Sequence, residues 1–226
     1  MSNVNGITKK IHFTWIVDKS LNEKEFAAVA NGLTRMAEKI KSLTGIDYEL
    51  RPTKSSFPKV GTTVRSYSFL NGSFNDTSDN EIRINVVNKP VYSRGNYQLF
   101  GHQITKRFSD NMNPQRAAVI LNLDLIRNHS RNTNDIEKLV YWYGIHEVGH
   151  VFGIAGKHEY RIENRTAEDN RGAHCVDTTC NMFAGTGTYD KDANFAIKNS
   201  NKNTIHCKWC LSEWKAYPNI LEKLGT

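Results

Sequence analysis

An HExxH motif within a long apolar run constrains this chain more than any other feature. The motif spans His146 to His150, and the apolar side chains between Ile136 and Ile145 surround nearly the whole of the helix before it. Because residues four apart lie on one face of a helix, the two histidines can hold one metal ion together. Glu147 is displaced around the helix, where its carboxylate can act on a water molecule without binding the metal. The run therefore predicts a buried helix that carries a metal site.

Two signals bound this predicted helix. Asn134 and Glu137 have the spacing of a capping box, which predicts the first turn. Gly153 follows the motif and can adopt the left-handed conformation that ends a helix.

Composition places the chain among globular proteins. It has 226 residues, of which 38% are hydrophobic and 23% charged, enough for one domain with a substantial core. The net charge is +7, from 30 basic and 23 acidic residues, but the basic residues are scattered and form no run. Such scatter is typical of a solvated surface and argues against a nucleic-acid partner.

No targeting or membrane segment is apparent in the sequence. Residues 1–10 lack the apolar core of a signal peptide, and no apolar stretch is long enough to span a bilayer. We therefore predict a cytoplasmic protein without a membrane partner. In a reducing compartment cysteines bind metal more often than they form disulfides. The chain has four of them, all after the motif: Cys175, Cys180, Cys207 and Cys210.

The remaining pattern predicts an α+β architecture. An apolar stripe from Phe26 to Leu43, followed by Gly45, predicts a long amphipathic helix. Alternating or continuously apolar stretches predict several strands, and the end of the chain is helical in pattern. The predicted strands lie at 10–17, 47–52, 62–70, 81–88, 97–104 and 117–126, and the final helix lies at 211–224 with a break near Pro218.

The third ligand of the predicted metal site has two candidates. A longer motif, HExxHxxGxxH, would place it three residues after Gly153, but Gly156 occupies that position. His158 lies two residues later, and His174 lies further on, directly before Cys175. The cysteines that follow His174 favour it, and the residues alone leave both histidines open.

The order of these residues resembles the archaemetzincin family. Its pattern is HExxHxxGxxHCx4CxM followed by CxxC, and it covers the second half of this chain directly. The first half matches only in element order and in the stretch Leu99 to Gly101. The departure is an insertion, because 20 residues, 154–173, separate Gly153 from His174 where the pattern has two, which makes this segment 18 residues longer. The matching positions are His146, Glu147, His150, Gly153, His174, Cys175, Cys180, Met182, Cys207 and Cys210.

The resemblance implies a metzincin-like α+β fold in a single catalytic domain spanning 1–226. A mixed twisted sheet, a long backing helix and the motif helix would form an N-terminal lobe of about residues 1–153. A smaller irregular lobe of about residues 154–226 would carry a structural zinc and a terminal helix. The 154–173 insert is expected to be a loop that leaves and returns near the site, because lengthening a loop costs little closure entropy.

The resemblance also implies two zinc ions in each chain. The catalytic zinc would be held by His146, His150 and His174. The structural zinc would have no open coordination position and would be held by Cys175, Cys180, Cys207 and Cys210. Because His174 and Cys175 are adjacent, the structural zinc would fix the backbone that carries the third catalytic ligand.

The implied activity is hydrolysis of peptide bonds. Glu147 would take a proton from water and pass it to the leaving amine, and Met182 would form the apolar floor of a Met-turn beneath the zinc. An extended substrate would pair with an edge strand above the motif helix. We expect a peptide or protein substrate and a monomeric enzyme. The candidate residues of the edge strand are Tyr97, Leu99 and Gly101.

Two other functions stay open at this stage. Four cysteines around one zinc on a basic chain could form a binding module, with a degenerate HExxH. The chain could also be a catalytically silent protease-like protein whose cleft is covered by the 154–173 insert. A cleft across the motif helix favours the protease, whereas a groove lined by Lys and Arg elsewhere favours the binding module.

Overall fold

A five-stranded mixed sheet lies at the centre of the fold. The computed structural model describes residues 11–55, 63–93, 97–107, 114–154 and 174–222. The strands of the sheet are β1 (Ile11–Asp18), β2 (Tyr48–Ser55), β4 (Glu81–Val87), β6 (Gly101–Arg107) and β7 (Pro114–Asn122), and a separate pair consists of β3 (Val64–Arg65) and β5 (Val91–Tyr92). The strand order of the sheet is β2-β1-β4-β7-β6, in which all neighbours are parallel except the last pair, so that β6 is an antiparallel edge strand. The predicted α+β class with a mixed sheet is confirmed.

Two long helices cover one face of the sheet. They are α1 (Glu23–Thr44) and α4 (Thr133–Val151), which pack against each other over the main hydrophobic core. Their backbones approach closely, since a Cβ added at Gly32 would lie 2.7 Å from the carbonyl oxygen of Glu137 and 3.0 Å from Val140. This contact holds α4, the helix that carries the HExxH motif, against its neighbour.

The opposite face of the sheet is covered by α2 (Ser66–Asn75). The prediction of a strand over 62–70 is wrong, because only Val64 and Arg65 pair with β5 and the helix begins at Ser66. Aromatic residues in this stretch are typical of strands. Burial instead follows helical spacing, because Ser66 and Leu70 lie four residues apart and are both buried.

Side-chain caps set two boundaries that the sequence pattern placed wrongly. The N-cap of α4 is Asn132, whose side chain accepts a hydrogen bond of 3.0 Å from the backbone of Asp135, rather than Asn134. The strand predicted at 117–126 ends at Asn122. The side chain of Asn122 caps a short helix, α3 (Leu123–Asn128), instead.

The C-terminal part of the chain is more helical than its sequence predicts. One helix, α5 (Tyr189–Asn199), was not expected, because only a few small or apolar residues mark its buried face. The last helix, α6 (Lys208–Glu222), begins earlier than expected and continues past Pro218, which removes only one backbone donor. Across the ranges that the structure describes, none of the helices combines the length and hydrophobicity that a membrane crossing needs.

Candidate metal centres

Three histidines converge at the C-terminal end of α4. His146 and His150 lie on one face of the helix, with their Nε2 atoms 3.2 Å apart. Two nitrogens that each lie 2.0–2.1 Å from one tetrahedral ion are about 3.3 Å apart, so this separation fits a shared metal. His174 completes the group, in which the candidate ligand atoms all lie within 4.8 Å of one another. Three imidazoles are a donor set that suits zinc and leaves a coordination position open.

The main chain orients the first of these rings. The Nδ1 atom of His146 lies 2.7 Å from the carbonyl oxygen of Asn181, which can only accept a hydrogen bond. Nδ1 therefore carries the proton, and the lone pair of Nε2 points toward His150. Burial lowers the pKa of His146, which keeps its imidazole in the neutral form that binds metals.

Glu147 lies beside the histidines in a dry environment. Its side chain contacts the start of the edge strand, since a Cβ added at Gly101 would lie 2.6 Å from its Cγ atom and 2.8 Å from its Oε1 atom. Burial raises the pKa of the Glu147 carboxyl to about 8. A divalent cation held by the neighbouring histidines would act in the opposite direction and favour the carboxylate. The carboxyl group of Glu147 thus lies beside the histidines and against the start of β6.

Met182 packs against the motif helix at Gly149. It is fully buried, and a Cβ added at Gly149 would lie 2.4 Å from its Sδ atom. Trp214 of α6 lines the same contact at 3.7 Å. The HExxH pattern does not specify Gly149, but a glycine inside a helix costs about 1 kcal/mol relative to alanine and therefore indicates a packing requirement.

All four cysteines form a second cluster. Their sulfur atoms lie within 4.8 Å of one another, and the Sγ atoms of Cys175 and Cys207 are 3.6 Å apart. This separation is far from the roughly 2 Å of a disulfide and close to the about 3.8 Å between two thiolates on one tetrahedral zinc. None of the four forms a disulfide.

Backbone donors surround the sulfurs of this cluster. The amides of Asp177, Cys207 and Cys210 lie 3.4–3.5 Å from the sulfurs of Cys175, Cys180 and Cys207, respectively. A hydrogen bond between the Cys180 thiol and the sulfur of Cys175, together with burial, raises the pKa of Cys180 to about 12. The neighbouring thiols and burial raise the pKa of Cys210 as well. Adjacent buried thiols lose their protons together only when a cation lies between them, and four cysteines suit a closed zinc site.

One turn of the chain, residues 174–183, connects the two clusters. It carries His174 at its start and Met182 near its end, and the amide of Cys175 donates a 2.9 Å hydrogen bond to the carbonyl of Met182. The two predicted clusters are therefore neighbours in the structure, because one short segment supplies ligands to both.

Comparison with solved structures identifies the fold. A crystal structure of archaemetzincin from Methanopyrus kandleri matches 96% of this chain and 99% of its own with a TM-score of 0.60 and 14% sequence identity. The archaemetzincin of Archaeoglobus fulgidus, crystallised with malonate, matches 89% of this chain and 99% of its own with a TM-score of 0.51 and 15% identity. This chain has the archaemetzincin fold. No protein-family model matches the sequence, and a search of curated proteins finds no match either.

The resemblance seen in the sequence is thereby confirmed at the level of the archaemetzincin fold. At 14–15% identity this likeness establishes the fold, and the chemistry of the chain depends on the residues of its two clusters. The 154–173 insert, which distinguishes this chain from the family pattern, lies outside the described residues apart from Ile154, and so does His158.

The strand predicted at 97–104 begins at Gly101 and ends at Arg107. Tyr97 and Leu99 precede β6, and their backbone groups are hydrogen-bonded to the region of β5 through Ser93 at 2.8 Å and Val91 at 3.1 Å. These groups are therefore already used within the fold. Gly101 is the first residue of β6 and lies next to the Glu147 side chain.

Loss of one cysteine ligand is expected to release the zinc of the cysteine cluster. Cys207→Ser should reduce bound zinc by one equivalent and lower the stability of the C-terminal elements, because binding energy at a structural zinc is also folding energy. Trp209→Ala is the matched control, since Trp209 lies between two of the cysteines and is 55% exposed. Zinc content and thermal unfolding measure both effects. Equal zinc content in Cys207→Ser and the control would contradict a four-cysteine site.

Proposed function

We propose that this chain is a zinc-dependent peptidase. The observation that carries the proposal is the buried carboxylate of Glu147 directly beside three convergent histidines. Burial of a carboxyl group costs free energy, so its presence at this position requires another reason. Water activation is such a reason, because three imidazoles leave room on a zinc ion for water and substrate.

Glu147 is the proposed general base. When zinc is bound, it supplies Lewis-acid activation of the attacking water and of the scissile carbonyl. Glu147 accepts the proton of that water through a carboxylate oxygen and then delivers it to the nitrogen of the leaving amine. His146 keeps its own proton on Nδ1, where the Asn181 carbonyl holds it, and so takes no part in this transfer.

An extended peptide is the proposed substrate. In the described sheet β6 pairs with β7 on one side, and a peptide can add to the other side as a further strand. The start of β6 lies against the Glu147 side chain, so a strand added there would carry one of its peptide bonds past the carboxylate. Gly101 allows this approach because it has no side chain between β6 and Glu147.

Zinc removal and restoration test the proposal. The reduced protein, loaded with zinc, should cleave a diverse peptide mixture, and mass spectrometry should detect the new termini. A short treatment with a chelator should abolish cleavage, and added zinc should restore it, because the open three-histidine site loses metal more readily than the closed cysteine site.

Two outcomes would decide against a peptidase. Two zinc ions per chain without cleavage of any peptide would indicate a silent protease-like protein. One zinc ion per chain, held only by the cysteines, would favour the binding module.

A further inference from the structure

Asn181 makes three hydrogen bonds to three separate parts of the structure. It directly follows Cys180 and is 1% exposed. Its amide nitrogen donates to the carbonyl of Ile205 at 2.7 Å, and its side-chain Nδ2 donates to the carbonyl of Trp142 at 2.9 Å. Its own carbonyl accepts from Nδ1 of His146 at 2.7 Å. One residue therefore contacts both the motif helix and the segment that leads to the last two cysteines.

The Trp142 carbonyl does not need the side-chain amide of Asn181 as its hydrogen-bond donor. Trp142 precedes His146 by one helical turn, so its carbonyl already accepts the amide of His146 within the helix. The Oδ1 atom of Asn181 is buried and has no hydrogen-bond partner in the part of the chain that the structure describes. A buried polar atom without a partner costs stability, and an apolar side chain of similar shape would avoid that cost. The side-chain amide of Asn181 therefore requires an explanation other than stability.

Asn181 connects the motif helix to the segments that carry the cysteines. The side chain of Asn181 holds α4 at Trp142, and its carbonyl holds the His146 ring one turn later. On its other side Asn181 is fixed through Cys180, a ligand of the cysteine cluster, and through Ile205, which lies two residues before Cys207. A metal in the cysteine cluster would restrict both of these neighbours, and Asn181 lies between them and the His146 ring.

We infer that Asn181 is a positioning residue that makes metal affinity at the three histidines depend on filling of the four-cysteine cluster. The inference rests on the proposed two-zinc assignment. Partners that orient a ligating histidine typically change metal affinity by about 10- to 100-fold. Because the carbonyl of Asn181 stays in place when its side chain is replaced, we expect a change near the lower limit, about 10-fold.

Cobalt titration tests the inference without any measurement of hydrolysis. Cobalt bound by four thiolates absorbs strongly and has sulfur-to-metal charge-transfer bands, whereas cobalt bound by three imidazoles absorbs weakly, so the two sites are distinguishable. In Asn181→Leu, affinity at the histidines should fall about 10-fold, and affinity at the cysteines should change by less than about threefold. Asn181→Ala is the second variant, because it cannot overpack the site if the leucine does.

Asn85 provides the matched control. It is also 1% exposed, and its Nδ2 atom donates a 2.9 Å hydrogen bond to a backbone carbonyl, that of Val119 within the sheet. Asn85→Leu and Asn85→Ala should lower stability and leave cobalt affinity at the histidines unchanged. If the Asn181 variants behave in the same way, with reduced stability and unchanged affinity, the residue is structural only and the inference is overturned.

The coupling itself is measured by combining variants. In the parent background, Cys207→Ser should reduce cobalt affinity at the histidines by about 10-fold. In the Asn181→Leu background the same change should have a clearly smaller effect, because the connection is already broken. Equal effects in both backgrounds contradict the coupling.

Failure of the inference and failure of the proposed function give different results. A parent that fills both sites with cobalt but hydrolyses no peptide refutes the peptidase and leaves the coupling intact. An active parent whose Asn181 variants bind cobalt normally at the histidines refutes the coupling alone. A parent that binds cobalt only through cysteines refutes both.

Discussion

Glu147→Gln should leave both metal clusters occupied and reduce peptide hydrolysis by a factor on the order of 10² to 10⁴, the contribution typical of a general base. Glutamine has the same shape as glutamate but cannot accept the proton of the attacking water. The substitution also removes a buried ionisable group, so the fold should be at least as stable as that of the parent. The kcat/KM for a cleaved peptide, together with the zinc content of the same sample, measures the effect.

Glu137→Gln is the matched control for this prediction. Glu137 lies on the same helix and carries the same functional group, but its Oε1 atom accepts a 2.8 Å hydrogen bond from Arg35 on α1, away from the histidines. Its replacement should leave kcat/KM within about twofold of the parent, since an ion pair of this kind affects stability by at most about 1 kcal/mol. A Glu147→Gln variant as active as the control would mean that another group acts as the base.

The sequence predicts the parts of the site that depend on local rules. The spacing of His146 and His150 fixes them on one face of a helix whatever surrounds it. Gly153 ends the helical segment with a φ of 68°, and Gly45 follows α1 with a φ of 69°, as their positions after apolar stripes predicted. The mixed sheet and the archaemetzincin fold were likewise predictable from element order and from the order of the ligand-type residues.

Contacts between distant segments were not predictable in the same way. Gly32, Gly101 and Gly149 each contact a residue from another part of the chain, and nothing in the local sequence shows which residue that is. Residues 66–75 are helical because Leu70 packs into the hydrophobic cluster on this face of the sheet, although the pattern over 62–70 predicts a strand. The side chain of Asn181 contacts Trp142, a partner that no motif pattern includes.

The choice between His174 and His158 as third ligand depended on a segment whose length departs from the family pattern. The number of residues between Gly153 and each histidine does not show which of the two can reach the metal. The adjacent Cys175 favours His174. In the structure the His174 ring lies 5.2 Å from that of His146 and 4.7 Å from that of His150, measured between ring centroids. These distances bring His174 into the same group of candidate ligands, while His158 lies outside the described residues.

His174→Ala should therefore remove the zinc held by the histidines and abolish peptide hydrolysis, while the zinc held by the cysteines remains. Two imidazoles bind zinc far more weakly than three, and an ion without its third protein ligand is lost to a mild chelator. His158→Ala is the control and should retain two zinc ions per chain and most of the activity. Zinc content after gel filtration, the cobalt spectrum and the hydrolysis rate of both variants measure the outcome. Zinc loss in His158→Ala together with full zinc content in His174→Ala would reverse the assignment, because the chain would then be held near the start of the insert rather than at its end.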